Sequence, residues 1–88
     1  MSMRARQLIG GSAFPPDELR IIFAAFDAAW AEVAPEVSNR PDAIEATRLS
    51  LATIVLSIAK AGPIDREGIK AGAIEAFRAK HRMKAARS

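Results

Sequence analysis

Residues 40–61 read RPDAIEATRLSLATIVLSIAKA and are followed at once by Gly62-Pro63. Nothing in this stretch interrupts a helix, because its one proline, Pro41, falls in the first turn, where a missing N–H costs nothing. Ser38 or Asn39 is placed to cap it, and Asp42 suits the positive end of the helix dipole. Ile44, Leu51, Ile54, Val55 and Ile58 recur at helical spacing and form the main apolar stripe. Leu49 and Leu56 lie more than about 90° from it at about 100° per residue, with Ala52 and Ala59 between. What remains is a narrow, mild face of Ala46, Ser50, Thr53, Ser57 and Lys60. A helix apolar on two sides is either central in its domain or meets another chain. Leu49 and Leu56 are therefore candidate protein-interface residues, a homodimer being the simplest case. Gly62 is expected to supply a left-handed residue and Pro63 to prevent continuation.

Two more helices flank this one. Leu19, Ile22, Phe23, Phe26, Trp30 and Val33 make one stripe over residues 16–34, opened by Pro16, Asp17 and Glu18 and expected to stop before Pro35. Asp65 caps a third helix over residues 65–81, with Ile64 and Ile69 at the spacing of a hydrophobic staple and Ile69, Ala73, Ile74 and Phe77 on one face. Gly68 and Gly72 inside it suggest a backbone pressed against a neighbour. No stretch alternates with period two for the length of a strand. Short links make consecutive helices antiparallel neighbours, so the expected fold is all-α: a three-helix bundle over residues 15–81. Residues 1–14, with Gly10-Gly11 and no sustained period, read as a flexible arm, and 82–88 as a basic tail.

Of the 88 residues 50% are hydrophobic, yet mean hydropathy is only +0.05 because 19 of them are alanine. There is no Cys, which excludes disulfide scaffolds, thiolate metal sites and cysteine nucleophiles. No apolar run approaches the about 18 residues of a membrane span, and the N-terminal Leu8-Ile9 is too short for a signal peptide, so a cytoplasmic location is expected. The net charge of +3 is uneven: residues 17–37 hold five acids against Arg20, and residues 78–88 hold five cations and no acid. The sequence pI of about 10.0 thus belongs to the C-terminus alone.

Arg48 falls within the apolar sector of the central helix, where a charge needs a partner or a route to water. Asp27 on the acidic first helix is the favoured partner in a structural ion pair, with Glu45 the other candidate. Trp30 sits mid-stripe and reads as core. His81 is the single histidine, so a transition-metal site has no ligand set, and no metal or cofactor is expected. Around Gly62 a calcium loop would need Ala59, Ala61 and Gly68 as ligands, and a DNA-reading helix-turn-helix would need small and apolar residues where Ile58 and Gly68 stand. Both are rejected. Ser50, Thr53 and Ser57 share a face without a base nearby in sequence, so no enzyme is expected. Arg78, Lys80, Arg82, Lys84 and Arg87 could track phosphates, without aromatic residues for base stacking, or simply complement the helix C-terminus.

The segments Ala25-Phe26-Asp27-Ala28-Ala29-Trp30 and Arg48-x-x-Leu51-Ala52 through Ala59-x-x-Gly62-x-x-Asp65 resemble a set of short, all-helical alphaproteobacterial proteins of unassigned function. The resemblance spans roughly residues 14–77 and implies a small helical domain in which Asp27, Trp30, Arg48 and Asp65 recur. It implies no activity or cofactor. The expected function is a non-enzymatic helical module that binds an unknown protein or its own copy. Sequence-independent nucleic-acid binding through the basic tail is the alternative.

Overall fold

The computed structural model describes residues 4–37 and 43–87, with side chains through Glu36 in the first stretch and Lys80 in the second. Its elements are α1 (Arg4–Gly10), α2 (Pro16–Val37), α3 (Ile44–Ala61) and α4 (Arg66–Arg87). The described residues are all-α, but form four helices rather than three. The extra one lies where a flexible arm was expected. Arg4, Ala5, Arg6, Gln7 and Leu8 are good helix formers, and Ala5 and Ile9, four apart, point to one side. That side is buried, Ile9 completely. Seven residues are too few to hold a helix alone, so docking is what forms it. It ends at the glycine pair, where the Gly11 and Ser12 amides donate to the Gln7 and Ile9 carbonyls at 2.9 and 3.1 Å.

The helix α3 is central and packs on all three others. Its buried residues are Thr47, Leu51, Ala52, Val55, Leu56 and Ala59, a sector joining the two expected stripes. Leu56 is only 7% exposed and belongs to the same core as Ala5 and Ile9, and Leu49 is half-buried. Leu56 is thus covered from within the chain, on a helix that α1 also packs against, so the second apolar side is not left open at that residue. Across the core stand Ile22, Phe26 and Val33 of α2 and Ile69, Ala73 and Phe77 of α4, all nearly or wholly buried. Leu19, Phe23 and Trp30 pack at its edge.

Three boundaries differ from expectation. The helix α2 runs through Pro35 to Val37, because a proline this near the end removes a single ladder bond and leaves one short turn beyond it. Gly62 is extended, with φ −154°, so α3 ends without a left-handed residue. The backbone of α4 stays helical to Arg87, through much of the expected tail, in keeping with the helix propensity of its Arg, Lys, Met and Ala residues. The caps foreseen at Ser38 or Asn39 and the start of the central helix at Arg40 lie outside the described residues.

The α4 N-terminus is built as its sequence suggests. The Asp65 carboxylate accepts from the Gly68 amide at 2.7 Å, while Ile64 packs on the core beside buried Ile69. An added Cβ at Gly68 would meet this same carboxylate at 2.8 Å, so Gly68 answers to its own cap. At Gly72 the added Cβ would lie 3.3 Å from Ile58 Cδ1, so only Gly72 marks the close α3–α4 approach. Removing the cap with Asp65→Ala is expected to cost about 1 kcal/mol. Urea unfolding checks it, as a lower midpoint at unchanged slope.

Candidate functional site

The seam where α1 lies on α2 and α3 gathers most of the residues singled out in the sequence. Arg6 Nη1 donates to the Asp27 carboxylate at 3.1 Å, and its guanidinium lies 4.8 Å from the centre of the Phe23 ring. Arg4 Nε stands 3.4 Å from Glu45 Oε1. Glu45 and Leu56 are about 20° apart around α3, so this pair marks the second apolar side as the one nearest α1. Both acids considered as partners for Arg48 are therefore taken by arginines of α1. Arg48 instead lies over the Trp30 ring, 5.6 Å from its centre, and its buried Nε has no hydrogen-bond partner among the described residues. The Asp27–Arg48 pair is replaced by Asp27–Arg6 because the arm is a docked helix.

A buried N–H donor without a partner costs about 1–3 kcal/mol, which equals or exceeds the about 0.5–2 kcal/mol that a cation gains on an indole face. Arg48→Met keeps a long side chain on Trp30, gains a sulfur–aromatic contact and removes the stranded donor. The melting temperature is expected to rise by roughly 4–8 °C, equivalent to about 1 kcal/mol. A fall would mean that the guanidinium has a partner.

The basic C-terminal region is anchored at its start. Arg78 reaches Glu36 Oε2 with Nη2 at 2.7 Å and Nε at 3.1 Å. Hydrogen bonding and charge from Glu36 raise the Arg78 pKa further, so this cation is permanent. Lys80 Nζ donates to Ser50 Oγ at 3.1 Å. Lys70 Nζ stands 3.8 Å from Glu32, so α2 meets α4 through its acids. The side chains of His81, Arg82, Lys84 and Arg87 lie outside the described residues, although their backbone continues α4.

On the mild face of α3, Ser50 accepts from Lys80, Thr53 donates to the Leu49 carbonyl at 3.0 Å and Ser57 is exposed. A shallow cavity of about 430 Å³ lies where the α1–α2 link meets the end of α3, with Phe14, Ala59 and Ile64 against it and Glu18 and Lys60 beside them. Each of these charges also complements its own helix end, Glu18 at the start of α2 and Lys60 at the end of α3. Among the described residues no group of three His, Cys, Asp or Glu could hold a metal ion, and no helix is long and apolar enough to cross a membrane. No family model, curated protein or solved structure matches the chain.

Proposed function

We propose that the chain is a small non-enzymatic helical interaction module that binds an acidic protein surface through the last turns of α4. The observation that supports this is the continuity of α4 to Arg87 with no acid after Glu75, which sets Arg82, Lys84 and Arg87 on the same helix as Arg78 and Lys80. Apolar recognition is the weaker choice, since among the described residues Leu8 is the single exposed large hydrophobic, at 40%. Arg78 and Lys80 already hold α4 to its neighbours. Three cations remain, few beside the about 6–10 phosphate contacts of a tight duplex binder. Sequence-independent nucleic-acid binding by the same residues is the second reading, favoured by the run of cations unbroken by acid. A cytoplasmic setting and kinship with the short alphaproteobacterial helical proteins belong to this proposal and add no activity to it.

The test compares the full chain with a variant carrying Arg82→Gln, Lys84→Gln and Arg87→Gln in a pull-down from the native cell. The variant is expected to keep the fold and lose the partner. Equal capture by both overturns the proposal. Salt-sensitive retention of generic DNA or RNA by the wild type, lost in the variant, selects the second reading.

A further inference from the structure

The seat of α1 has two ways of distributing its charges. In the docked arrangement Asp27 and Glu45 bind Arg6 and Arg4, while Arg48 Nε stays buried and unpartnered among the described residues. The two ion pairs are half in solvent, so they contribute little net and weaken with salt. Release of α1 frees both carboxylates; Arg48 stands three residues from Glu45 on α3 and lies over Trp30, three residues from Asp27 on α2, so it is placed to turn toward them. This lowers the cost of opening, as does the shortness of α1, which buries only Ala5 and Ile9. The open seat then presents an apolar floor rimmed by two acids that a short basic amphipathic helix can take back from Arg48.

We propose that the occupant is the α1 of a second copy, so that two chains exchange N-terminal helices and each groove is filled by its partner's helix. A segment that fits the groove within one chain fits it between chains with the same contacts, so exchange loses none and is opposed chiefly by the entropy of association. The link of residues 11–15, bounded by Gly10 and Pro16, is short enough to serve as the hinge. A tethered helix competes at an effective concentration of about millimolar, so exchange emerges at comparable protein concentrations. The inference is independent of the cations of α4.

The test uses the full chain carrying Ile9→Asp, whose own α1 cannot seat, titrated calorimetrically with a synthetic peptide of residues 1–14. The wild-type peptide is expected to bind with one site per chain, more weakly at high salt, and roughly tenfold better than the same peptide carrying Ile9→Asp. Wild-type chain sedimented at about 1 mM is expected to show dimers, and Arg48→Met to reduce them while raising the melting temperature. A variant chain that keeps its helical circular dichroism yet ignores the wild-type peptide overturns the proposal. If that variant does not fold, sedimentation decides: a single-chain mass for the wild type up to a few millimolar overturns it as well.

Discussion

Phe26→Ala is expected to remove about 3–5 kcal/mol of stability, at the top of the range for any single truncation in this chain. Phe26 is wholly buried in α2 and is among the largest side chains with no contact with water. Truncation loses the transfer free energy of the ring and leaves a cavity that helices held together on several sides can close only in part. At about 0.05–0.15 kcal/mol per residue, 88 residues give a folding free energy of roughly 4–13 kcal/mol. The single change thus consumes between a quarter and the whole of it. For a domain of this size the melting temperature should fall by roughly 12–40 °C, read by circular dichroism. A fall of only a few degrees would show that the ring is not in the core.

The second large effect comes from adding atoms. Ala52→Leu is expected to cost about 1–3 kcal/mol, whereas Ala71→Leu, on the exposed face of α4, should stay within about 0.5 kcal/mol. Ala52 has no exposed surface and sits on α3, which touches all the other helices, so the extra carbons displace a neighbouring helix or force a strained rotamer. The alanines that lower the mean hydropathy thus fall into two kinds. Ala25, Ala29, Ala52 and Ala73 are wholly buried and set how closely helices approach, while Ala31, Ala71 and Ala76 are exposed and serve helix propensity. Chemical unfolding of both leucine variants checks this, and equal costs would remove the distinction.

The three long helices are readable from spacing because each has enough turns for its stripe to repeat, and the Asp65 cap is readable because its chemistry is local. The helix α1 is not readable in that way. In seven residues a stripe has room for one repeat, Ala5 to Ile9, and the glycine pair beside it reads as an arm. One missed helix then misdirects the reading of the candidate site. Arg48, read beside apolar residues, is given Asp27 as its partner, but the arginine on Asp27 is Arg6. The same omission leaves Leu56 without cover and suggests a second chain where α1 already lies. The signal was present in the two-sided pattern of α3, which requires something on its far side. At the other end, α4 outruns its apolar stripe, so periodicity loses it at His81 although its residues favour a helix to Arg87.

The stacking of Arg48 on Trp30 also gives the molecule an optical signature. Trp30 is its only indole and there is no Tyr, so near-ultraviolet emission arises almost wholly from one ring, half-buried beside a charge. A cation fixed over an indole face and a cation moved off it toward Asp27 or Glu45 impose different electric fields on that excited state. Emission wavelength and intensity therefore register the position of a helix in which the fluorophore does not reside. The unlabelled protein carries its own gauge of whether α1 is seated, on the nanosecond scale of emission and at concentrations far below those needed for sedimentation.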